Sequence, residues 1–159
     1  MIKKAMLAHK FDEKRVDWSQ PVYIQPKLDG VRCLFTKDGA YSRAGNEFMN
    51  IAHIRTALVP FFKQHPDVVL DGELYNHELK DDFEMLVTSD IYDRQIKYVP
   101  AKLVDSYNYA RDIHATFLSE GYEGSIIRLD GLYKHGRSYD LMKFKDFSDA
   151  EATIIGYEE

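Results

Sequence analysis

The stretch Gln25-Pro26-Lys27-Leu28-Asp29-Gly30-Val31-Arg32 lies at the mouth of an expected strand and concentrates reactive groups. Lys27 offers an amine, Asp29 adds a carboxylate two positions later, and Gly30 lets a ligand approach the backbone. The guanidinium of Arg32 is suited to a phosphate group. The stretch alone is compatible with an ordinary hairpin, so its neighbours decide how it is interpreted.

Runs of strand length rich in Val, Ile, Tyr and Phe lie on both sides of this stretch and recur along the chain. We expect strands at Val22–Ile24, Val31–Thr36, Val68–Leu74, Ile96–Val99, Ser125–Leu129, Leu141–Phe144 and Thr153–Tyr157. Lys37-Asp38-Gly39 predicts a hairpin turn leading to a strand around Tyr41. The excess of strands and the short turns favour an α+β fold, with mainly antiparallel sheets and flanking helices.

Two helices are expected between these strands. Asn50 can cap the first, which Pro60 should kink or end early, and Ser106 can cap the second, which should stop at Gly121. The apolar face of the first helix comprises Ile51, Ile54, Leu58 and Phe61, and that of the second comprises Ala110, Ile113 and Phe117.

The composition is that of one folded domain, since 45% of the 159 residues are hydrophobic and 30% are charged. Cys33 is the single cysteine, so no disulfide forms within the chain and a reducing cytoplasm is the expected location. No apolar run approaches the roughly 18 residues of a membrane span, and charges follow the N-terminal residues at once. We therefore expect no membrane partner and no export.

The net charge is −5, from 21 basic and 26 acidic residues, which at first sight argues against a polyanionic partner. Binding of nucleic acid depends on where the positive charge lies, however, and local counts differ from the total. Between 132 and 145 the chain carries Lys134, Arg137, Lys143 and Lys145 against Asp140 alone.

Four further motifs follow the first in order along the chain. They are Tyr41-Ser42-Arg43-Ala44-Gly45-Asn46-Glu47-Phe48, Asp71-Gly72-Glu73-Leu74-Tyr75, Glu123-Gly124-Ser125-Ile126-Ile127-Arg128 and Met142-Lys143-Phe144-Lys145. Together the five motifs resemble those of the covalent nucleotidyltransferases, which include ATP-dependent DNA ligases, RNA ligases and mRNA capping enzymes. The form of the second motif is similar to that of small viral or bacterial DNA ligases.

The resemblance implies an ATP-grasp-like adenylation domain over residues 1–150, with 151–159 as the start of a truncated or absent OB-fold domain. It implies that Lys27 attacks ATP to form a covalent lysyl-AMP, and that AMP then passes to the 5′-phosphate of nicked DNA before the strands are sealed. An RNA ligase, a GTP-using capping enzyme and a non-catalytic nucleotide- or DNA-binding remnant are the alternatives.

The resemblance also assigns roles to single residues. Lys27, Asp29, Arg32, Lys143 and Lys145 are the candidate catalytic residues, and ATP is expected to contact Gln25, Lys27, Arg32, Glu73, Tyr92, Lys143 and Lys145. Glu73 and Glu123 are candidates for holding Mg²⁺ (or Mn²⁺), with Glu73 a candidate for the ribose as well. Arg32, Ser42 and Arg43 are candidates for nicked duplex DNA, which the chain would bind as a monomer.

Elementary chemistry supports the role of Lys27. A lysine amine with its ordinary pKa of about 10.4 is almost fully protonated at neutral pH and cannot attack phosphorus. Lys143 and Lys145 alternate on one strand face, so their positive charge would favour the neutral amine if that face meets Lys27.

Two features depart from the family pattern. The family has, between the Asp-Gly-Glu and Glu-Gly motifs, an aromatic residue followed by aspartate, and the aromatic ring stacks on the purine; here only 50 positions separate Glu73 from Glu123. The resemblance makes Tyr92 in Ile91-Tyr92-Asp93 the candidate for this ring, and an ordinary core or surface tyrosine is the alternative. The chain stops at Glu159, where a ligase continues into an OB-fold domain. A longer parent protein with that domain in cis, a natural short version and a degenerate gene are the alternatives.

Overall fold

The computed structural model describes residues 4–79 and 96–145. In chain order its strands are β1 (Met6–Lys10), β2 (Val22–Lys27), β3 (Val31–Phe35), β4 (Ala40–Ser42), β5 (Leu70–Leu74), β6 (Lys102–Val104), β7 (Gly124–Leu129) and β8 (Gly136–Phe144). The helices are α1 (Ala52–Gln64) and α2 (Tyr107–Ser119), and a 3-10 turn spans Glu13–Arg15.

Within the described residues the strands form two sheets. The larger sheet has the order β1-β8-β7-β2-β6, and the smaller has the order β4-β3-β5. All pairs are antiparallel except β1 with β8, which run parallel from Met6 opposite Gly136 to Lys10 opposite Lys143. The α+β fold with mainly antiparallel sheets is therefore confirmed, and the parallel edge strand β1 is an addition to it.

Each sheet is covered on one face by one helix. Helix α2 packs Ala110 and Phe117 against the larger sheet, where Ile24, Ile127 and Met142 are fully buried. Removing each of these three side chains from water contributes about 1.5–3 kcal/mol. The two helix-covered faces form two separate apolar cores, so the opposite faces of the sheets are available for other contacts.

Helix α1 covers the smaller sheet in the same way. Its buried residues Leu58 and Phe62 pack with Cys33, Phe35 and Leu74. Burial raises the pKa of the Cys33 thiol to about 12, because a thiolate would lose its hydration in this core. Cys33 is thus a core residue with an unreactive thiol.

The prediction for the second helix is confirmed at both ends. The Ser106 hydroxyl accepts a hydrogen bond from the Tyr109 backbone N–H at 3.3 Å. Gly121 follows the helix with φ of +87°, a conformation that glycine adopts without steric cost. The hairpin after β3 is also confirmed, since the Thr36 N–H donates to the Gly39 carbonyl at 2.8 Å.

The prediction for the first helix was wrong about its cap and about an early end at Pro60. The helix begins after Ile51, so Asn50 is not its cap, and no side chain caps it. Pro60 lies inside the helix on its exposed side, and α1 continues to Gln64. The Thr56 carbonyl that loses its partner is on this exposed side, where water can satisfy it.

The strand expected at Ile96–Val99 was also wrong, because this segment is irregular and the next strand is β6. Pro100 explains the difference, since it restricts the backbone of Val99 and cannot donate a ladder hydrogen bond. Tyr98 is 88% exposed and lies outside both cores.

Three predictions lie outside the described residues: Tyr92, the strand at Thr153–Tyr157 and the boundary between 150 and 151. Among the helices that the structure describes, none combines the length and the apolar character needed to cross a membrane.

Candidate active site

Strand register brings Lys27, Glu123 and Lys145 together at one end of the larger sheet. Lys27 ends β2 opposite Gly124 of β7, and Ser125 of β7 lies opposite Phe144 of β8. Consequently Glu123, just before β7, lies between the lysine at the end of β2 and the lysine just after β8. One Glu123 oxygen, Oε2, contacts Lys27 Nζ, and the other, Oε1, contacts Lys145 Nζ.

The environment of Lys27 favours the form of its amine that can act as a nucleophile. Burial lowers the pKa of Lys27, and the nearby carboxylates of Glu73 and Asp29 oppose that shift. Burial also lowers the pKa of Lys145, to which the charge of Lys27 contributes. The expected direction for Lys27 is confirmed, but its main cause is burial and not the charge of the neighbouring lysines.

Gly124 permits the close approach of strands on which this cluster depends. Its φ is +153°, and a Cβ added there would lie 2.4 Å from the Phe144 carbonyl oxygen. Any side chain would force β7 away from β8. The glycine after Glu123 is therefore required for the contact between Glu123 and Lys145.

Gly30 makes the corresponding approach to the smaller sheet. A Cβ on Gly30 would lie 2.3 Å from the Leu74 carbonyl oxygen and 2.9 Å from Glu73 Cγ. The Gly30 backbone also acts on the Glu73 carboxyl, whose pKa it lowers against the larger effect of burial. The loop that follows Lys27 is thus packed directly on the end of β5, which places Glu73 near the amine.

The smaller sheet contributes Arg32, Asp71 and Glu73 from the face opposite α1. Arg32 lies opposite Glu73 in the ladder, and its Nε and Nη2 atoms pair with the two Asp71 oxygens. Burial alone would lower the pKa of Arg32, but the bound Asp71 carboxylate raises it. Burial raises the pKa of Glu73, although the positive charges of Arg32 and Lys27 act in the opposite direction.

Lys143 and Gln25, two further predicted site residues, lie on strands of the larger sheet. Lys143 is half-buried in β8, opposite Ile126 of β7 and Lys10 of β1. The lysine from this end of the chain that contacts Glu123 is Lys145. The Gln25 side-chain oxygen accepts a hydrogen bond from Arg128 Nε at 3.0 Å.

Ser42 is the last residue of β4, and Arg43 lies in the loop that follows it. The Ser42 hydroxyl accepts from the Asn46 backbone N–H at 3.1 Å, which closes the loop, and Gly45 has a φ of +89°. Arg43 is exposed there. In the described part of the chain no hydrogen bond or ion pair joins Ser42 or Arg43 to Lys27.

Sequence reasoning missed Asp71 and Tyr133 as site residues. Asp71 precedes Glu73 by two positions on a strand, so alternation alone would have placed both carboxylates on one face. Tyr133 lies in the connection before β8 and its hydroxyl donates to Asp71. No sequence pattern indicates that contact.

The carboxylates do not form a preassembled metal cage. No group of three or more His, Cys, Asp or Glu residues within the described ranges could hold an ion. Separate carboxylates still suit Mg²⁺, which is commonly bound by one or two of them together with substrate phosphates. Glu123 and Glu73 therefore fit the ion only as part of a site that a phosphate ligand completes.

A cavity of about 360 Å³ lies away from this cluster, between the turn after β3 and helix α1. None of the predicted site residues lines it. The candidate site is therefore defined by its chemistry and by the junction of the two sheets.

Comparison with known proteins gives relatives of one kind, although no family model matches the chain. The DNA ligase of Enterobacteria phage T4 is 24% identical over 243 aligned positions, covering 95% of this chain and 50% of the ligase. The DNA ligase of African swine fever virus is 28% identical over 185 positions, covering 86% of this chain and 44% of the ligase. The chain thus spans about half the length of the curated relatives it matches.

Solved structures of DNA ligases also match the fold of this chain. A Chlorella virus DNA ligase-adenylate matches with a TM-score of 0.70 and 22% identity, over 98% of this chain and 73% of that one. A Lig E DNA ligase matches with a TM-score of 0.70 and 17% identity, over 99% of this chain and 76% of that one.

The fold is therefore that of the nucleotidyltransferase domain of DNA ligases, with a lysine held at the junction of its two sheets. Within that class, the chain is similar in sequence to the proteins named DNA ligase in phages T4 and T6 and in African swine fever virus.

Proposed function

We propose that the chain is the adenylation domain of an ATP-dependent DNA ligase. The observation that carries this proposal is the half-buried Lys27, whose amine has a lowered pKa and contacts Glu123, which also contacts Lys145. A neutral lysine amine at a cluster of phosphate-binding groups is the nucleophile that covalent nucleotidyl transfer needs.

In the first step the neutral amine of Lys27 attacks the α-phosphorus of ATP. An N–P bond forms, the bond to the β-phosphate oxygen breaks, and pyrophosphate leaves. The product is a lysyl-AMP phosphoramidate. The α-phosphorus acquires negative charge as the bonds exchange, and the positive charge of Lys145 is near enough to Lys27 to stabilise it.

In the later steps a 5′-phosphate oxygen of nicked duplex DNA attacks the phosphoramidate, and Lys27 is released. The adjacent 3′-hydroxyl then attacks the activated 5′-phosphate and displaces AMP, which closes the strand. Lys143, Arg32, Ser42 and Arg43 are proposed to bind phosphates in these steps. Gln25 is proposed to contact the nucleotide, as is Tyr92, which lies outside the described residues.

Glu123 and Glu73 are the residues proposed to hold Mg²⁺ (or Mn²⁺), and Glu73 is a candidate for the ribose as well. When bound, the ion would neutralise charge on the phosphates of ATP. Asp29 is proposed as a further catalytic residue, in the loop after Lys27. Its negative charge raises the pKa of both Lys27 and Lys145, against the effect of burial.

The partners follow from the same proposal. A monomer is proposed to act on nicked duplex DNA in the cytoplasm of a bacterial or virus-infected cell, with an OB-fold domain in cis. The relatives named DNA ligase favour nicked DNA over nicked RNA as the acceptor.

The test is covalent labelling. Incubation with ATP and Mg²⁺ should add one AMP to the intact protein by mass spectrometry, and peptide mapping should place it on Lys27. Lys27→Ala and Lys27→Arg should both abolish the adduct, because a guanidinium stays protonated at any working pH. Lys37→Ala, in the exposed turn after β3, is the matched control and should label normally.

A Lys27→Ala protein that still gains AMP would overturn the assignment of the nucleophile. A wild-type protein that binds ATP without an adduct would support a non-catalytic remnant. Transfer of labelled AMP to nicked RNA in preference to nicked DNA would support an RNA ligase.

A further inference from the structure

A closed hydrogen-bonded circuit connects the two sheets beside the candidate site. The Met6 backbone N–H donates to the Tyr133 hydroxyl at 2.7 Å, and that hydroxyl donates to Asp71 Oδ2. Asp71 binds Arg32 through two hydrogen bonds, and Arg32 Nη2 returns to the Met6 carbonyl at 3.0 Å. Both backbone polar groups of Met6 are thus satisfied by side chains of the circuit.

The circuit crosses between the two sheets. Met6 belongs to β1 of the larger sheet and Tyr133 to the connection between its strands β7 and β8, whereas Arg32 and Asp71 belong to β3 and β5 of the smaller sheet. Lys27, Glu123 and Lys145 lie on the larger sheet. The circuit therefore sets the position of Arg32 relative to the lysine cluster.

The circuit uses only some of the hydrogen-bond donors of the Arg32 guanidinium. Its Nε and both Nη2 hydrogens are used by Asp71 and Met6. Within the described chain, the two Nη1 hydrogens have no acceptor. Because the guanidinium is planar and rigid, fixing one edge also orients the remaining Nη1 donors.

We propose that Tyr133 is a positioning residue for phosphate binding. Its hydroxyl holds Asp71, Asp71 holds Arg32, and the Nη1 donors of Arg32 are thereby oriented to bind a phosphate group at the junction of the sheets. The identity of that phosphate, from ATP or from the 5′ end at a nick, rests on the proposed ligase function.

The first test measures Arg32 directly and needs no turnover. Phenylglyoxal modification of the full chain is followed by mass spectrometry at Arg32, with and without ATP. Tyr133→Phe should increase the rate of modification, because the guanidinium loses part of its fixed environment, and ATP should protect Arg32 less well. Tyr109→Phe is the matched control, since Tyr109 is an exposed tyrosine of α2 outside the circuit.

The second test separates positioning from a general structural role. Removing a direct hydrogen bond to a charged group costs a factor of about 10 or more, so an effect transmitted through Asp71 should be about fivefold. Tyr133→Phe should raise the Kd about fivefold for the ligand that carries the phosphate. Adenosine is compared with ATP, and a 5′-hydroxyl nick with a 5′-phosphate nick, and the ligands without phosphate should bind unchanged.

A double variant tests the pathway. Because Tyr133 acts through Asp71, Tyr133→Phe should add nothing to the defect of Asp71→Asn. Additive defects, or equal Arg32 modification in Tyr133→Phe and Tyr109→Phe, would overturn the inference. So would an equal loss of affinity for ligands with and without phosphate, since that is the signature of a structural role alone.

The two proposals can fail separately. Absence of lysyl-AMP in the wild type, with the phosphate-specific effect intact, would reject the ligase function and keep the role of Tyr133. Normal lysyl-AMP formation with no phosphate-specific effect of Tyr133→Phe would do the reverse.

Discussion

The Glu123 carboxylate contacts the amines of two lysines at once. Its oxygens contact Lys27 and Lys145 separately, and the three side chains are each about one-quarter exposed or less. A carboxylate shared in this way balances charge that would otherwise repel across the site. Its loss should therefore affect both lysines together.

Glu123→Gln should lower the rate of Mg²⁺-dependent lysyl-AMP formation about 100-fold, because a neutral amide is a weaker Mg²⁺ ligand than a carboxylate and the ion neutralises charge on the phosphates. The fold should persist, since the side chain belongs to neither apolar core. The measurement is single-turnover adenylation across a Mg²⁺ titration. Glu47→Gln is the control, because Glu47 forms an exposed ion pair with Arg55 at 3.4 Å. An unchanged Mg²⁺ profile for Glu123→Gln would contradict this role.

Glu73→Gln should shift the pH dependence of adenylation to lower pH. Burial lowers the pKa of Lys27 from its usual 10.5, and the Glu73 carboxylate raises it again in part. Removing that negative charge lets the pKa fall further, so the neutral amine is present at lower pH. The midpoint of the single-turnover rate against pH reports the shift independently of the maximal rate. A midpoint that moves upward, or that moves equally in Glu47→Gln, would show that Glu73 does not act on Lys27.

At the scale of elements, the two helices begin in different ways although both are preceded by a residue suited to capping. Ser106 accepts from the Tyr109 N–H, whereas α1 starts without a side-chain cap despite Asn50 nearby. Packing of Leu58 and Phe62 stabilises α1 in place of a cap.

Ser106→Ala should lower the free energy of unfolding by about 1 kcal/mol, the usual effect of losing an N-cap. Asn50→Ala is the matched variant and should change the free energy of unfolding by less than about 0.5 kcal/mol, as expected for a surface site. Urea titration followed by circular dichroism measures both. Equal destabilisation by the two substitutions would show that Asn50 also caps its helix.

At the scale of the whole molecule, the two sheets share one site while each keeps its own helix-covered core. Among the cationic side chains of the molecule, Arg32 already pairs with Asp71 and Lys134 with Asp140. The net charge of −5 further limits attraction to a polyanion.

This chain should therefore bind nicked duplex DNA weakly and with a shallow salt dependence. If about three phosphates are neutralised, the log–log slope of the binding constant against salt is about −2.7. Fluorescence anisotropy of a labelled nicked duplex measures the slope, and Arg43→Gln should flatten it by about 0.9. Lys63→Gln, at the end of α1, is the control. Tight binding at physiological salt with a steep slope would show that the chain already encloses DNA effectively.

Short sequence patterns predicted several local features of this protein. Alternation along a strand predicts one face for Lys143 and Lys145. Gly30 was predicted to admit a ligand to the backbone, whereas in the structure it packs against the Leu74 carbonyl of β5. The Ser106 cap and the turn before Gly39 were likewise predictable, because each depends on residues no more than a few positions apart.

The contacts that join the sheets depend on long-range packing and become visible only in the tertiary structure. The parallel pairing of β1 with β8 and the hydrogen bond from Met6 to Tyr133 link residues about 130 positions apart, which no local periodicity encodes. Burial likewise lowers the pKa of Lys27, because that pKa depends on how much water the assembled sheets exclude from its amine. The sequence thus supplied the reactive groups, and the packing of distant strands determined which of them meet.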